Sequence, residues 1–196
     1  MRKDLTFNTD HKAQKLKILA KAGLSTSEAD TFYRYQDGTG GFGFNWDYFA
    51  DPLTTAKVVQ AFHATDYRHN VEISQALYYL ISTQRFDGGW SVSEWGDSPI
   101  GITAEVVEAL LPWQDGFVGQ VSVAEAVNLA VNSFISTQDT DGTWGGDLLD
   151  TALAYHTIKA AGKTPTYHSD TIKYFITDNN QTHLSLIHIS EPTRPY

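Results

Sequence analysis

The sequence contains no cysteine and only one methionine among its 196 residues. The absence of cysteine excludes disulfide bridges and thiolate metal ligands, and it leaves the cellular compartment open. Positive charge is also scarce, because 14 lysines and arginines face 23 acids and the formal net charge is −9. This surplus of acids argues against a nucleic-acid-binding surface. No apolar run approaches the length of a membrane span, so we expect no membrane-spanning segment.

A short motif is present three times along the chain. Each copy starts at a glutamine, has Gly-Gly or Gly-Thr before its end, and closes on an aromatic residue six positions after the glutamine. The copies occupy residues 36–42, 84–90 and 138–144, and we call each of them a clasp. A Thr-Ala pair follows every clasp, and successive pairs lie 48 residues apart. A fixed period of this size is typical of a repeat protein.

Helical periodicity surrounds the clasps. Apolar residues recur with helical spacing from Ile73 to Ile81 before the second clasp, and from Val123 to Phe134 before the third. The stretches ITAEVVEALL and LLDTALAYHTIKAAG predict second helices after the clasps, and KAQKLKILAKAG predicts the second helix of an earlier copy. Each repeat is thus predicted to be a helical hairpin, in an all-α protein of about eight helices. The stretch GQVSVAE is too short to indicate a strand, so no strand is expected.

The clasp residues predict a structural junction between hairpins. Glycines permit the sharp reversal that a hairpin needs, and an aspartate can cap free N–H groups at the turn. The glutamine can bond backbone groups of the junction while the aromatic ring excludes water. Contact with a ligand is the alternative role for the same side chains. The residues concerned are Gln36, Phe42, Gln84, Asp87, Gly88, Gly89, Trp90, Gln138, Asp141, Gly142 and Trp144.

The second and third clasps resemble the QW motif of the squalene–hopene cyclase and prenyltransferase repeat superfamily. The resemblance covers roughly residues 25–181 and rests on three spaced copies. It implies helical-hairpin repeats that form an arc, or partial ring, of an α/α toroid. A complete ring has more hairpins than this chain supplies. The expected partner is therefore the rest of its own toroid, because repeat arcs bury their faces against neighbours.

The repeat pattern also predicts the domain boundaries. The toroid domain is expected to span residues 1–183, with a truncated fourth repeat from about residue 168. Residues 184–196, LSLIHISEPTRPY, share no pattern with the preceding chain and resemble a translated sequencing adaptor of the kind found in metagenomic assemblies. We expect this tail to lie outside the fold, although a natural unstructured tail is the alternative.

The activities known in the superfamily can be compared with the residues present. Class II terpene cyclases use a DxDDTA motif whose central Asp donates a proton. Here Asp147, Asp150 and the Thr-Ala pair match, but Leu149 stands at the donor position and cannot donate. The zinc site of the prenyltransferases requires a cysteine, so we expect no metal and no cofactor. Asp147 and Asp150 stay weak catalytic candidates, and a role for Asp150 at the start of its helix is favoured over catalysis.

Acidic and aromatic residues are concentrated in the loops between clasp and second helix. Such side chains suit sugars, cationic ligands or peptides. A pair of carboxylates could also act as general acid and base on a glycan. The alternative is that these residues only satisfy local backbone groups and keep the surface soluble. The ligand-binding candidates are Trp46, Asp47, Tyr48, Asp51, Glu94, Trp95, Asp97 and, in the last helix, His156.

Two hypotheses for the function follow. The first is a non-catalytic or uncharacterised module that binds a glycan, peptide or small molecule at its acidic, aromatic loops. The sequence resembles the bacterial repeat proteins of this kind that are often secreted or surface-attached. The alternative is a fragment of an isoprenoid-processing enzyme, a terpene cyclase or prenyltransferase, whose catalytic residues are missing or diverged. An apolar, aromatic chamber would favour the enzyme, and a polar, open rim would favour the binding module.

Overall fold

The computed structural model describes residues 8–45, 48–65, 67 and 69–167. The predicted fourth repeat and the tail 184–196 lie outside the described residues. The α-helices are α1 (Thr9–Lys21), α2 (Pro52–Ala64), α3 (Asn70–Ser82), α4 (Ile100–Leu110), α5 (Val123–Thr137) and α6 (Leu148–Ala160). Two 3-10 helices, Ser27–Tyr35 and Leu111–Trp113, and two short strands, β1 (Phe117–Val118) and β2 (Val121–Ser122), complete the described elements. The fold is all-α, as the sequence predicted.

The helices form two layers. The second helices of the hairpins lie side by side in the order α1, α2, α4, α6, and we call them the inner layer. The first helices, which are the 3-10 helix Ser27–Tyr35, α3 and α5, form the outer layer and contact one another much less. The apolar residues predicted for α3 and α5 are buried between the layers, with Ile81 only partly covered. This arrangement is an arc of an α/α toroid.

The first helix of the first repeat is a 3-10 helix rather than an α-helix. Its buried residues Ala29 and Phe32 are three positions apart, and the partly buried Tyr35 follows after three more. A period of three places these side chains on one face of a 3-10 helix, whereas an α-helix would rotate them apart. The spacing of the apolar residues therefore selects the tighter helix.

The expectation that the chain has no strand is wrong at one connection. Between α4 and α5, Val118 pairs with Val121 and Phe117 with Ser122 in a two-residue antiparallel hairpin. Gly119 occupies the first turn position with φ +65°. Two-residue hairpin turns need positive φ angles, which glycine adopts without strain. The turn residue, rather than any apolar alternation, determines this hairpin.

All three clasps share one backbone turn. In the second clasp, the Arg85 N–H donates to the Gly89 carbonyl at 3.0 Å, and the Gly88 N–H donates to the Arg85 carbonyl at 2.9 Å. The corresponding residues of the other two clasps make the same pair of bonds. Gly88 has φ +85°, and a Cβ there would lie 2.8 Å from the Leu129 carbonyl oxygen of α5. Glycine is therefore required at position 88 for two reasons, which are the positive φ angle and the close approach of the next repeat.

The clasp glutamines join each hairpin to its successor. The Gln84 Nε2 donates to the Gly88 carbonyl within the clasp and to the Ala126 carbonyl in the first turns of α5, both at 2.8 Å. Gln36 likewise bridges its own clasp and the Glu72 carbonyl of α3. Gln138 bonds the backbone of Tyr167 with both its Nε2 and its Oε1. One amide thus holds two successive repeats in register.

The closing aromatic residue of each clasp covers the end of the outer helix. The indole Nε1 of Trp90 donates to the Leu80 carbonyl at 2.6 Å, and that of Trp144 donates to the Phe134 carbonyl at 2.9 Å. Both acceptors are carbonyls near a helix C-terminus, where free carbonyl groups need partners. Phe42 has no such donor and instead packs edge-to-face against neighbouring phenyl rings of both layers.

The threonine of the Thr-Ala pair connects each clasp to the inner layer. The backbone N–H of Trp90 donates to the Thr103 Oγ1 at 3.1 Å inside the core. The same bond joins Phe42 to Thr55 and Trp144 to Thr151. These three threonines are buried, so their hydroxyls satisfy donors that water cannot reach. The two sequence markers therefore recur together because they bond to each other.

A carboxylate fixes the loop that follows each clasp, but its position varies. Asp87 accepts hydrogen bonds from the Gly89 N–H and from the N–H and hydroxyl of Ser98. Burial tends to raise the pKa of Asp87, but these hydrogen bonds and Arg85 outweigh it, so the pKa is lowered. In the other clasps, Asp37 and Asp139 bond the loop, at 3.3 Å and 2.8 Å. Neither residue was predicted from the sequence, because each directly follows its glutamine, whereas the aspartate shared by the second and third clasps lies three positions after it.

We expect Thr103→Val to destabilise the protein by about 1–3 kcal/mol, because it leaves the buried Trp90 N–H without an acceptor at nearly constant side-chain volume. Urea unfolding monitored by circular dichroism measures the change. Thr103→Ser keeps the hydroxyl and should be clearly less destabilised than Thr103→Val. A Thr103→Val protein as stable as the unaltered chain would show that this hydrogen bond does not contribute to stability, and a loss confined to Thr103→Ser would assign the effect to the methyl group.

Candidate functional site

Three loops lead from the clasps to the N-termini of α2, α4 and α6, at one end of the inner layer. They comprise residues 43–51, 91–99 and 145–147, and we call them together the rim. The rim exposes large apolar side chains beside acids, an uncommon combination on a surface without a ligand or partner. Among its described residues, the exposed large apolar ones are Phe44, Tyr48, Phe49, Val92 and Trp95, with Leu148 and Leu149 just inside α6.

In the first rim loop, one predicted ligand-binding residue is exposed and another caps a helix. The Tyr48 side chain is 61% exposed, and its ring lies 6.5 Å from that of Phe44. Asp51 is the N-cap of α2, where its Oδ1 accepts from the Thr54 N–H at 2.8 Å. The Asp51 carboxylate therefore has a structural role as the cap of α2. Trp46 and Asp47 lie outside the described residues.

The second rim loop displays its candidates to solvent. Trp95 is 83% exposed, and the flanking Glu94 and Asp97 are exposed as well. The Trp95 N–H donates to the Ser93 Oγ at 3.2 Å, and the Arg85 Nη2 donates to the Glu94 carbonyl at 3.4 Å. These bonds hold the backbone while leaving the indole and both carboxylates accessible. All three predicted residues are thus exposed on one loop, where their position follows from the sequence alone.

The third rim loop is short, and its acids serve the helix. Asp147 is the N-cap of α6, with its Oδ1 accepting from the Asp150 N–H at 2.9 Å. The sequence analysis placed the helix start at Asp150, whereas α6 begins at Leu148 and Asp150 lies in its first turn. Burial and the neighbouring Asp147 raise the pKa of Asp150. Leu149, at the proton-donor position of the cyclase motif, is 66% exposed.

His156 lies away from the rim, two turns along α6. Its Nε2 is 3.5 Å from the Glu108 Oε1 of α4, across the surface of the inner layer. A helix rises 1.5 Å per residue, so His156 is roughly 13 Å along the axis from Asp147. The predicted ligand-binding residues therefore divide between two places, and His156 belongs to a second surface.

That second surface is a row of polar side chains across the inner layer. The Lys17 Nζ of α1 donates to the Gln60 Oε1 of α2, and the Gln60 Nε2 donates to the Glu105 Oε2 of α4 at 3.0 Å. The Glu108–His156 pair continues the row to α6. Gln60 points away from the outer layer, because Phe62, two residues later on α2, packs against Phe32 of that layer. We call this row the inner polar face.

The sequence analysis missed the inner polar face although a signal was present. Gln60, Glu108 and His156 lie 48 residues apart, which is the period of the Thr-Ala pairs. Residues separated by the repeat period occupy equivalent positions on neighbouring inner helices. The residue types differ at each step, so a search for identical residues does not detect the row.

The environment of Glu108 makes it the most perturbed acid of the row. Burial is the largest effect, and the nearby Glu105 carboxylate adds to it, so the pKa of Glu108 is raised. His156 and Lys17 act in the opposite direction but are outweighed. A raised pKa means that ionised Glu108 opposes folding as the pH rises through and above its ordinary value of 4.5.

The described residues provide neither a metal site nor a membrane-spanning helix. No group of three or more histidine, aspartate or glutamate side chains there is placed to hold a metal ion. Within the same residues, no helix is both long enough and apolar enough to cross a lipid bilayer.

We expect Glu108→Gln to raise the melting temperature at about pH 8 and to lose this gain at about pH 4, because the pKa of Glu108 is raised. Below its ordinary pKa the glutamate is protonated in both states and resembles the amide. The gain should stay below about 1 kcal/mol because the side chain is partly exposed and screened. Glu125→Gln on the exposed face of α5 removes the same charge and should change little. A destabilised Glu108→Gln protein at about pH 8 would contradict the expectation.

Comparison with known proteins identifies the family. The model of the squalene–hopene cyclase C-terminal domain matches residues 43–177, more than two thirds of the chain. Among solved structures, the chain resembles the apo form of the type II terpene cyclase MstE from Scytonema, with 14% identity and a TM-score of 0.42 over 82% of this chain. It also resembles a variant of that enzyme in complex with its product merosterolic acid A, with 14% identity and a TM-score of 0.39 over 77% of this chain.

The chain covers 66% and 62% of the two cyclase chains, less than two thirds of their length in each case. No curated protein matches it. The family model spans the second and third clasps, both of their rim loops and the inner helices α2, α4 and α6. The chain belongs to the squalene–hopene cyclase C-terminal domain family.

Proposed function

We propose that this chain is a non-catalytic repeat module that binds a ligand at its rim. The observation that carries the proposal is the exposure of Trp95 between Glu94 and Asp97, in a loop whose backbone is bonded at several points. An indole face attracts sugar rings and cations, and neighbouring carboxylates accept hydrogen bonds or pair with positive charge. A glycan, a basic peptide or a small cationic molecule matches this chemistry.

The state of the acids at α6 supports a non-catalytic role. Asp147 accepts a backbone N–H as the N-cap, and Asp150 lies beside it within the first turn. A proton donor for an alkene must be a protonated acid aimed into a chamber closed to water. Leu149 stands at the donor position and is exposed to solvent. The chemistry of the cyclase motif is therefore not assembled by these residues.

The inner polar face supports a polar ligand rather than a hydrocarbon. An isoprenoid chamber needs apolar and aromatic walls that hold the chain and stabilise carbocations. The inner helices instead carry Lys17, Gln60, Glu105, Glu108 and His156 on one connected surface. In a ring completed by further hairpins, this surface would line the central space and hold water there. The completing hairpins are the proposed partner of the arc.

Binding at the rim is tested by calorimetry with two probes, a hexa-arginine peptide and cellohexaose. We expect one of them to bind, and Trp95→Ala to weaken binding about tenfold or more, because the indole platform is lost. Trp95→Phe keeps an aromatic face and should retain part of the affinity. Phe117→Ala removes an exposed aromatic residue away from the rim and should have no effect. Unchanged binding in Trp95→Ala would exclude the rim as the binding surface.

The second candidate function is isoprenoid processing, which the match to the cyclase family favours. In that case the catalytic residues either lie in other parts of a longer protein or have diverged. The proposed non-catalytic role predicts no product when this chain is incubated with squalene or farnesyl diphosphate.

Gas chromatography of such incubations distinguishes the two candidates, with Asp147→Asn and Asp150→Asn as variants. Asparagine is as good an N-cap as aspartate, so Asp147→Asn removes the acid without removing the cap. A product that forms with the unaltered chain and disappears in either variant, at unchanged melting temperature, would establish catalysis and overturn the binding-module proposal.

A further inference from the structure

A separate groove of about 330 Å³ lies between the first clasp and the exposed side of α3. Its volume is at the small end of the range of ligand pockets, roughly 300–1,000 Å³. It shares no residue with the rim or with the inner polar face. The residues that line it are Gly38, Thr39, Gly40, Ser74, Gln75 and Tyr78.

The geometry of the clasp explains why the groove exists. Gly40 approaches α3 so closely that a Cβ there would lie 2.7 Å from the Gln75 carbonyl oxygen, which fixes the clasp against the helix. Gly38 precedes this contact, and a Cβ there would meet no atom within 4 Å. The tight contact and the missing side chain together leave an open depression beside the helix. Backbone forms one wall and α3 forms the other.

The wall formed by α3 combines a flat ring with neutral polar groups. Tyr78 is 54% exposed, and Ser74 and Gln75 precede it by about one helical turn on the same side. Within the described part of the chain, no hydrogen bond engages the side chain of Ser74 or Gln75. The ring can therefore stack with a ligand while the hydroxyl and the amide donate and accept hydrogen bonds.

The opposite wall is held rigidly by Asp37. Its Oδ1 accepts from the Thr39 N–H at 2.8 Å and from the Thr39 hydroxyl, while its Oδ2 accepts from the Ala50 N–H. The carboxylate is thereby bonded to the chain, and it does not line the groove. All six lining residues are uncharged, although the protein carries a net charge of −9. The groove is consequently a neutral site on an acidic protein.

The second repeat does not reproduce this chemistry. There Gly88 contacts Leu129 of α5 as Gly40 contacts Gln75 of α3, which identifies the equivalent positions. Tyr78 then corresponds to Asn132, which accepts from the Lys163 Nζ at 2.9 Å, and Thr39 corresponds to Asp87. The combination of an exposed ring and neutral polar groups therefore distinguishes the first repeat from the second and is not a consequence of the repeat architecture alone.

We propose that this groove binds a neutral sugar unit, with a pyranose ring stacked on Tyr78 and its hydroxyls bonded to Gln75, Ser74 and the clasp backbone. A pyranose offers an apolar face and a rim of hydroxyls, which matches one aromatic wall and several uncharged donors and acceptors. The absence of charged lining residues selects against phosphorylated or cationic ligands. The proposal is independent of ligand binding at the rim.

The test is a titration of the full ¹⁵N-labelled chain with cellotriose, maltotriose and N,N′-diacetylchitobiose at millimolar concentrations. We expect at least one sugar to shift the amide resonances of Gly38, Gly40 and Gln75. Tyr78→Ala should weaken that binding about tenfold or more, and Tyr78→Phe should preserve most of it. Both changes lie on an exposed helix surface and should leave the melting temperature nearly unchanged.

Two matched variants serve as controls. Asn132→Ala changes the equivalent position on α5, and Trp95→Ala removes the indole of the rim; neither should affect the shifts around Gly40. If none of the three sugars shifts these resonances, the proposal is wrong. If binding is lost in Trp95→Ala and kept in Tyr78→Ala, the sugar binds at the rim, which overturns the groove as its site and supports the rim.

Discussion

The arrangement of this protein depends on a hydrogen-bonded amide at each junction between hairpins. Gln84 donates to a carbonyl of its own clasp and to a carbonyl of the next outer helix, and Gln36 does the same. Gln138 donates to a carbonyl of its own clasp and to the Tyr167 carbonyl. A helical hairpin alone leaves polar groups at the end of its first helix and at its turn. The amide satisfies such groups in two repeats at once, so it also fixes the distance between them. In the second clasp, the buried Trp90 ring and the Thr103 hydroxyl bond further polar groups of the same junction.

This construction restricts what the rim can do. The inner helices α2, α4 and α6 each begin directly after a rim loop, and their free N–H groups need acceptors. Asp51 and Asp147 supply them, and Asp37, Asp87 and Asp139 bond the loops themselves. Much of the acidity near the rim is therefore structural. The acids and the indole of the second loop, Glu94, Trp95 and Asp97, stay accessible, which is why the proposed binding function rests on that loop.

The predictions from sequence succeeded where a regular spacing reports a local structure. The helical stripes of α3 and α5, the second helices and the all-α class follow from periodicity alone, and the structure has them. The prediction that no strand forms is wrong because one glycine at positive φ closes a hairpin too short to show alternation. The candidates Glu94, Trp95 and Asp97 are exposed on the second rim loop, whereas His156 lies beside Glu108, and no local pattern in α6 indicates that partner. The cap of α6 is Asp147 and not Asp150, because helix ends are the least regular part of a periodic pattern.

The sequence by itself determined the repeat, its period and the family, because the clasp must be rebuilt from the same residue types at every junction. Only the tertiary structure decided which side chains meet across the repeats. The bonds from Lys17 through Gln60 to Glu105, and the pairing of Glu108 with His156, join residues that are more than forty positions apart in the chain. Such contacts arise when equivalent faces of neighbouring helices are brought side by side, and residues of different types can then form one surface. The neutral groove beside Tyr78 has the same origin, since a clasp and the following helix create it only when they pack together.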